Sequence, residues 1–446
     1  LFAELNLLKG LSLRNELSFS LGMDNNLAFQ KAGHVGGQTF RSKLIDNRSD
    51  SYYYSLTNYF NYAKYLNGHN IHFTLGHQAQ MSYYQSIGGS KVDLQANIMD
   101  LNTGSADQTT WGLNGGKGHW AMESWFARAN YTYSDRYSVS ASFRADGSSN
   151  FGPNNRWGYF PGVSVGWTAS NESFMKEWLP ETYIKVRAGY GLVGNQNFPG
   201  GAPNPAYVGA VQFFSGPVGF GTSNMIQGIP NPDLKWETVK TSNIGVDIGL
   251  LKGRLDLTVD AYKKVTSDMI IFLTGPTLIG VGDAWDDLKA PLGNAGRMTN
   301  TGVDIGINSV NVSKENFTWK TNLVFTHFKN NYDQAASAAS ALDGRVYYNN
   351  YLITHTTPGR PVGSFWGLKT DGLFRTQEEL AASMPQFGYI VNSAQTWLGD
   401  IRYKDINGDK KIDAEDMTYI GSPLPKFTWG LTNSLNYKQF DLSIIS

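Results

Sequence analysis

The feature that most constrains the fold of this sequence is a period-two alternation of apolar and polar residues. Apolar side chains occupy every second position of Trp125–Ser134 and again of Arg136–Asp146. Successive side chains of a β-strand point to opposite faces, so the pattern indicates strands with one apolar and one polar face. Comparable runs occur at Leu13–Gly22, Asn70–His77, Ile244–Leu250, Leu255–Ala261, Val303–Asn308 and Trp429–Tyr437. We predict an all-β chain of about 14 strands, with one short helix at Gln377–Met384.

The connections between the strand-like runs fall into two classes. Tight turns are predicted at residues 9–10, 66–69, 134–136, 252–253 and 313–316. Much longer segments, rich in Gly, Asn, Pro and aromatic residues, lie at about 30–50, 85–118, 146–155, 194–233, 274–292 and 330–425. Short turns at one end and long loops at the other are typical of outer-membrane β-barrels.

A transmembrane antiparallel β-barrel is the fold that these patterns favour. The sequence contains no run of about 18 apolar residues, the length that a membrane-spanning helix needs. A barrel strand needs only about 9–11 residues of alternating polarity. A soluble β-sandwich is the alternative, but its strands are usually only about 5–6 residues long. In the barrel, the apolar face would contact lipid and the polar face would line the interior.

The composition agrees with this interpretation and excludes several functions. Only 17% of the 446 residues are charged, against about 25% in soluble domains. Lys plus Arg and Asp plus Glu number 37 each, so a nucleic-acid binder that relies on excess positive charge is not expected. The absence of cysteine excludes disulfides and a cysteine nucleophile. No hydrolase, phosphate-loop or dinucleotide motif has the required spacing, so we predict no enzyme.

Several groups of longer motifs are distributed over most of the chain. They are Ser124–Tyr131 with Phe143–Gly152, Trp157–Pro161 with Val163–Trp167, Lys185–Gly191 with Gly194–Gln196, Asn231–Glu237 with Asn243–Asp247, Gly399–Asp409, and Ile420–Phe427. Taken together and in this order, they resemble the SusC/RagA family of TonB-linked outer-membrane transporters of Bacteroidetes.

The resemblance implies a barrel of about 22 strands that encloses a plug domain. It also implies localisation in the outer membrane of a Gram-negative cell. Import of glycans or peptides would be driven by the TonB complex and aided by a SusD-like surface lipoprotein that closes over the external loops. Both ends of the chain fall in strand-like runs and no signal peptide is visible. We therefore expect an inner piece of about 14 strands from a longer protein, without its plug.

Three regions follow from this comparison with the family pattern. Residues 1–329 would form barrel strands with extracellular loops. Residues 330–425 would form a long extracellular loop region that contains an acidic, EF-hand-like segment, and residues 426–446 would return to barrel strands.

The acidic segment at residues 405–416 is the sharpest candidate for ligand chemistry. Its side-chain oxygens stand at positions 1, 3, 5, 9 and 12, the spacing of an EF-hand-type calcium loop. The predicted ligands are Asp405, Asn407, Asp409, the backbone carbonyl of Lys411, Asp413 and Asp416. Position 6 departs from the pattern, because it is Lys410 instead of Gly. Position 12 departs too, being Asp instead of Glu. The alternative is a loop held together by its own side-chain-to-backbone hydrogen bonds.

Aromatic residues of the long loops are further candidates. Exposed aromatic rings stack on sugars or peptide side chains and anchor partner proteins, although packing among the loops is the simpler explanation for any single one. The tryptophans predicted to contact substrate or lipoprotein are Trp111, Trp120, Trp285, Trp366 and Trp397. Charged residues on or beside polar strand faces would line the interior or contact the plug: Arg128, Arg144, Asp146, Arg187, Asp247, Asp256, Asp260 and Asp304.

We therefore expect the barrel portion of a TonB-dependent importer that acts on an oligosaccharide or peptide, with calcium as the one expected cofactor. Two alternatives stay open. One is a passive porin or structural outer-membrane barrel, and the other is a soluble glycan-binding β protein. A plug domain and a TonB-contacting segment encoded upstream would favour the importer, and recovery from the soluble fraction would favour the last alternative.

Overall fold

A computed structural model describes residues 1–35, 37–94, 98–198, 230–273, 291–335, 352–386 and 396–446, with the backbone of three short strands at 211–214, 223–226 and 342–345. Fourteen strands of this part form one antiparallel sheet, which confirms the predicted class and strand number. They are β1 Phe2–Leu8, β2 Leu11–Gln30, β3 Lys43–Leu66, β4 His69–Val92, β5 Gly112–Tyr133, β6 Tyr137–Ser148, β7 Trp157–Thr168, β8 Tyr183–Asn195, β9 Glu237–Leu250, β10 Leu255–Ser267, β11 Arg297–Lys314, β12 Phe317–Gln334, β13 Phe427–Tyr437 and β14 Phe440–Ile445.

The sheet is a meander, because its strands hydrogen-bond in chain order from β1 to β14. The pairing is long and regular. Strands β3 and β4, for example, pair without a break from Lys43 opposite Val92 to Leu66 opposite His69. This up-and-down order is the topology of transmembrane barrels, and the fold is that of an antiparallel barrel wall.

The tight turns lie where the sequence predicts them. Between β3 and β4, Asn67 and Gly68 have φ values of +49° and +82°. Between β5 and β6, Ser134 and Asp135 have φ values of +51° and +54°. Two consecutive residues with positive φ match the right-handed twist of the flanking strands and close a tight hairpin. Asn and Asp tolerate this conformation better than other residues that carry a Cβ.

Several strands extend further than the alternation predicts. Strands β3 and β4 have 24 residues each and β2 has 20. The predicted loop at residues 85–118 is wrong at both ends, because the chain stays in strand to Val92 and re-enters it at Gly112. The loop-side halves of these strands carry polar residues on both faces, as at Gln85 and Ser86. The alternation is lost there while the backbone pairing continues.

The two faces of the sheet differ in polarity as the sequence predicts. One row across β2–β7 consists of Leu13, Phe60, Leu75, Ala127, Phe143 and Pro161. The adjacent row on the other face consists of Ser12, Asn61, Thr74, Arg128, Ser142 and Gly162. Phe60, Leu75 and Phe143 are 42%, 45% and 47% exposed. So large an exposed apolar surface marks a face that another apolar medium covers, and in a barrel that medium is lipid.

The chain divides into two compact units: Leu1–Trp167, Tyr190–Glu237 and Gly275–Gly293 form the first, and Thr168–Gly189, Thr238–Thr274 and Asn294–Ser446 form the second. Short strands occur at Gly33–Val35, Gln38–Phe40, Val211–Phe214, Ser223–Ile226, Ile270–Phe272, Leu292–Asn294, Leu342–Arg345, Leu352–Thr356, Phe365–Gly367, Thr370–Leu373, Ile401–Tyr403 and Thr418–Gly421. Single 3-10 turns occur at Leu101–Thr103, Gln108–Thr110, Ala169–Asn171 and Ala414–Asp416.

Two short α-helices occur in the described residues, α1 at Ser173–Trp178 and α2 at Gln377–Ala381. Helix α2 is the helix predicted at Gln377–Met384, and it ends three residues earlier than predicted. Its first turn is capped by Thr376, whose hydroxyl accepts a hydrogen bond from the backbone N–H of Glu379 at 3.2 Å. In the part of the chain that the structure describes, no helix is both long and apolar enough to cross a membrane.

Candidate functional site

The acidic loop at residues 405–416 folds as a series of turns in which its own side chains accept backbone hydrogen bonds. Asp405 Oδ1 accepts from the N–H of Gly408 at 2.6 Å, and Oδ2 accepts from the N–H of Lys410 at 3.0 Å. Lys410 has a φ of +65°. It therefore adopts the left-handed conformation for which EF-hand loops use Gly at this position. The replacement of Gly by Lys410 at position 6 of the loop thus leaves the backbone turn intact.

The next two predicted ligand positions repeat this arrangement. Asn407 Oδ1 accepts from the N–H of Asp409 at 3.0 Å, and Asp409 Oδ1 accepts from the N–H of Lys411 at 3.1 Å. The Lys411 ammonium lies 3.2 Å from Asp409 Oδ2 and 3.3 Å from Asp413 Oδ2. These two carboxylates raise the pKa of the Lys411 ammonium. A positive charge of the protein itself therefore sits among the predicted calcium ligands.

The last predicted ligand, Asp416, has a structural role. Its side chain is fully buried, with Oδ1 accepting from the N–H of Ile406 at 2.7 Å and Oδ2 from the N–H of Asp413 at 2.9 Å. Burial raises the pKa of the Asp416 carboxyl, but backbone hydrogen bonds outweigh that effect and hold the pKa below its usual value. Among the described residues, no three His, Asp or Glu side chains converge closely enough to hold a metal ion.

Two of the predicted loop tryptophans are held by contacts within the chain. The Trp111 indole N–H donates to the backbone oxygen of Ser105 at 2.8 Å, and the Lys91 ammonium lies 4.1 Å from the ring centroid. Trp120 is part of strand β5, and its indole N–H donates to Gln196 Oε1 at 3.2 Å. Trp120 is half-buried on the polar face of the sheet.

The other predicted tryptophans differ from one another in exposure. Trp366 is half-buried and packs against His355, with the ring centroids 4.7 Å apart. Trp397 is 64% exposed. Trp285 lies outside the described residues.

Trp397 belongs to an exposed apolar patch in the loop region of the second unit. The patch comprises Leu373, Trp397, Leu398 and Ile401, all of them exposed. Leu373 and Ile401 stand opposite each other where the short strands Thr370–Leu373 and Ile401–Tyr403 pair. Clusters of exposed apolar side chains on a loop are candidates for contact with a partner protein.

The polar face of the sheet in the first unit carries a hydrogen-bonded network around Arg144. The Arg144 guanidinium donates to Asp146 at 2.6 Å, to Ser124 at 2.8 Å and to Gln78 at 3.1 Å. Asp146 and Ser124 are buried. Arg144 and Asp146 are thus on the polar face as predicted, and a buried carboxylate beside a guanidinium fixes the wall here without any ligand.

Gln196 forms a second polar centre in the first unit. Its side-chain oxygen accepts from the hydroxyl of Ser148, from Trp120 at 3.2 Å and from Asn150 at 3.4 Å. Its amide nitrogen lies 3.5 Å from the sulfur of Met122. The motif at Gly194–Gln196 is therefore bonded directly to the motif at Phe143–Gly152, through Ser148 and Asn150.

Three of the motifs meet in a buried aromatic cluster. The ring of Trp236 lies 5.0 Å from that of Phe151 and 5.4 Å from that of Phe160, measured between centroids. The Trp236 indole N–H donates to the backbone oxygen of Arg156 at 3.0 Å. Phe151 is fully buried and the other two rings nearly so. Sequence reasoning missed this cluster, although three of the motifs that carry the family resemblance each contribute one aromatic residue to it.

The second unit carries an acidic cluster on the polar face of β8–β11. Arg187 donates to Asp260 at 2.7 and 2.6 Å and to Asp247 at 3.1 and 3.3 Å. Asp304 stands directly opposite Asp260 on the neighbouring strand, and its buried Oδ1 has no hydrogen-bond partner among the described residues. Two carboxylates thus share the Arg187 guanidinium, and a third stands opposite one of them.

Residues 4–443 match the family model described as TonB dependent receptor-like, β-barrel. The whole chain aligns at 28% identity with TonB-dependent receptor P39 of Formosa agariphila and covers 44% of that protein. Over 77% of its length it is 30% identical to TonB-dependent receptor P26 of the same organism, covering 33% of it. It is also 28% identical over 72% of its length to TonB-dependent receptor SusC of Bacteroides thetaiotaomicron, covering 30% of SusC. The chain spans less than half the length of these relatives.

Solved structures give the same result for the fold. The structure of the RagAB peptide transporter matches 100% of this chain with a TM-score of 0.80 at 21% identity, and the chain covers 46% of that one. The RagAB peptide importer in the "closed-closed" state matches with a TM-score of 0.79, also at 21% identity. At this identity the likeness establishes the barrel fold alone.

Proposed function

Because this chain belongs to the family of TonB-dependent receptor-like β-barrels, in its SusC/RagA branch, we propose that it forms barrel wall and external loops of an energised outer-membrane importer. The match over residues 4–443 carries the proposal. The two-faced sheet supports it, since an apolar face meets lipid and a polar face lines the transport path. The cargo is an oligosaccharide or a peptide, a SusD-like surface lipoprotein closes over the loops, and no step of the cycle is enzymatic.

The dependence of uptake on TonB tests this proposal. We expect deletion of the gene and deletion of tonB to abolish uptake of the same fluorescent oligosaccharide or peptide to the same extent. A passive porin would keep its uptake when TonB is absent. A soluble glycan-binding protein would be recovered in the soluble fraction after the membranes are sedimented.

The proposed lipoprotein contact includes the exposed patch Leu373, Trp397, Leu398 and Ile401. An aromatic ring surrounded by smaller apolar groups is a common centre of a protein interface. Replacing Trp397 with Ala should weaken co-purification of the lipoprotein with the full-length transporter. The expected loss is about 2 kcal/mol of binding free energy, a roughly thirtyfold change in affinity.

A matched control is available in the second unit. Leu251 is 67% exposed and lies in the tight turn between β9 and β10. Leu251→Ser should leave co-purification unchanged. If Trp397→Ala captures as much lipoprotein as the wild-type transporter, the patch is not part of the interface.

Calcium binding by the acidic loop is a second part of the proposal. Asp405, Asn407, Asp409 and Asp413 would supply side-chain oxygens and Lys411 its carbonyl, which are hard ligands suited to calcium. The left-handed turn at Lys410 supports this assignment, and the Lys411 ammonium between Asp409 and Asp413 competes with it. Bound calcium would stiffen the external loop.

Titration calorimetry of the full-length transporter tests the loop. Calcium uptake should be present in the wild type and abolished by Asp405→Ala or Asp409→Ala, since each removes a carboxylate of the predicted ligand set. Glu415→Ala changes an acidic residue of the same loop that is not a predicted ligand, and it should bind as the wild type does. Absence of calcium-dependent heat in the wild type would mean that the loop binds no calcium. Its own hydrogen bonds and the Lys411 ammonium would then hold it together.

A further inference from the structure

The lipid-facing side of the second unit has a sharp upper limit. Residues that stand opposite one another across β9, β10, β11 and β12 form rows on this face. Two successive rows are entirely apolar: Ile248, Leu257, Ile307 and Leu323, then Val246, Val259, Ile305 and Phe325. The next row towards the loops is the last apolar one, and it consists of Ile244, Ala261, Val303 and His327. We call these three rows the apolar belt.

The three rows directly beyond the belt carry positive charge. They contain four exposed cations, which we call the basic strip: Lys240, Lys263, Arg297 and Lys329. The one carboxylate that these strand residues carry is Asp333, which accepts from Asn331 at 2.6 Å and lies 3.8 Å from Arg297. Within the described part of the chain, no carboxylate pairs with any of the three lysines.

The basic strip has the geometry of an anion site. A shallow groove of about 630 Å³ runs along it, and Lys263, Thr301 and Lys329 are among its lining residues. Ser242, Lys263, Thr301 and Lys329 stand side by side in one row, so hydroxyls alternate with ammonium groups. Neighbouring strands lie about 4.8 Å apart, so the Cα atoms of Lys263 and Lys329 are about 10 Å apart. Their long side chains can converge on one phosphate together with the Thr301 hydroxyl.

A basic surface is not a general property of the wall. Beyond the apolar rows of the first unit, the same outward face carries both signs of charge. Asp46, Arg48 and Asp50 alternate with inward residues along β3, and the Arg48 guanidinium lies 3.5 Å from the Asp46 carboxylate. The excess of positive charge in the second unit therefore selects an anion.

The position of the strip restricts what can reach it. The tight turns of β9–β10 and β11–β12 lie at the other end of the strands, so the strip is on the side of the long loops, which is external in an outer-membrane barrel. Lys263 points outward, whereas its neighbour Lys264 shares the inward face with Asp260. A molecule inside the barrel cannot contact the strip. The headgroup layer of the outer leaflet can.

A lipid fits the belt and the strip together, which a soluble anion does not. Acyl chains would lie on the apolar rows, and an anionic head would meet the lysines one row higher. Aromatic residues mark this boundary, as they do where membrane proteins meet the headgroup level. Phe427 and Trp429 on β13 are each 54% exposed, and the ring of Phe427 lies 6.0 Å from that of Phe325, measured between centroids.

We propose that the basic strip binds the phosphate groups of an anionic lipid in the outer leaflet, with the acyl chains of that lipid against the apolar belt. The inference rests on the outer-membrane location in the proposed function and adds a lipid partner to it. Lys263 and Lys329 are the central binding residues, with the Thr301 hydroxyl between them. Lys240 and Arg297 extend the site towards the loops.

Native mass spectrometry of the full-length transporter in detergent tests the strip. The probes are diphosphoryl lipid A, the same lipid after removal of its phosphates, and inorganic phosphate alone. We expect the affinity for diphosphoryl lipid A to fall about fivefold in Lys263→Gln and in Lys329→Gln, the usual weight of one lysine at an anionic membrane surface. The double variant should lose about 25-fold. The dephosphorylated lipid should bind the wild type and the double variant equally.

Lys264→Gln is the matched control, because it removes the same charge from the adjacent position of β10 on the inward face. It should bind lipid A as the wild type does, and heat-modifiable migration on gels should show that all variants fold. The proposal is overturned if the double variant retains the affinity of the wild type, or if Lys264→Gln loses as much as Lys263→Gln. Inorganic phosphate that binds as tightly as lipid A would assign the strip to soluble anions and overturn the lipid assignment.

Uptake by cells separates this proposal from the transport proposal. Uptake that requires TonB, in a protein whose lipid A binding ignores both lysines, would remove the lipid site and leave the importer. Lipid A binding that depends on both lysines, in a protein whose uptake persists without TonB, would do the reverse.

Discussion

Replacing Trp236 with Ala is expected to lower the free energy of unfolding of the full-length transporter by about 3–5 kcal/mol, the usual cost of removing a large buried aromatic side chain. The ring of Trp236 contacts both Phe151 and Phe160, and its N–H bonds the backbone of Arg156. Its removal leaves a cavity between a strand and two connecting segments, and strands cannot collapse into it while their backbone pairing holds. Urea unfolding in detergent micelles, followed by heat-modifiable migration, measures the change.

Trp236→Phe separates packing from hydrogen bonding at this position. It keeps an aromatic ring against Phe151 and Phe160 and loses the bond to Arg156, so about 1 kcal/mol is expected. Equal stability of Trp236→Ala and Trp236→Phe would show that the cluster contributes little to the fold. Loss of binding without loss of stability would instead place Trp236 in contact with cargo.

The strand order and the two faces could be predicted from the sequence because both depend on local patterns. Alternation identifies the faces, and residue pairs such as Asn67-Gly68 identify the turns. The length of β3 and β4 could not be predicted in this way. Beyond the lipid-facing belt both sides of a strand meet water, so selection for alternation ends while hydrogen bonding to neighbouring strands continues.

A candidate site could be predicted from the sequence when its residues lie close together in the chain, and could not when they lie far apart. The spacing of Asp405, Asn407 and Asp409 lies within a few residues of sequence, and their turn geometry followed from it. That Lys410 could supply the left-handed turn was not visible, because φ depends on the surrounding hydrogen bonds. The association of Phe151 with Trp236 joins residues far apart in sequence, and only the pairing of strands brings them together.

The polar face differs along its length in how far its side chains are paired. Around Arg144 its side chains satisfy one another, which makes a rigid wall with nothing left to bind. Around Asn47 they do not, because its buried Oδ1 has no hydrogen-bond partner among the described residues. The sequence predicts only that this face is polar. The register of four strands decides which polar groups are paired.

Replacing Arg187 with Met is expected to destabilise the second unit by about 3 kcal/mol at low salt. The guanidinium donates four hydrogen bonds to Asp247 and Asp260. Without it, two carboxylates face each other, with Asp304 opposite one of them. The lower end of the range for a broken buried ion pair applies, because the Arg187 side chain is 30% exposed and is partly screened by water.

Salt and compensating changes distinguish charge repulsion from lost packing. The deficit of Arg187→Met in urea unfolding should shrink as salt is added, because salt screens the repulsion. It should shrink further when Asp247 and Asp260 are both changed to Asn, since no negative charge of that pair then remains. Arg297→Met is the control, because Arg297 is exposed and lies 3.8 Å from Asp333, so its loss should cost less than about 1 kcal/mol. A deficit in Arg187→Met that ignores both salt and the Asn changes would assign Arg187 a packing role. In that case the acidic cluster would not depend on the charge of Arg187.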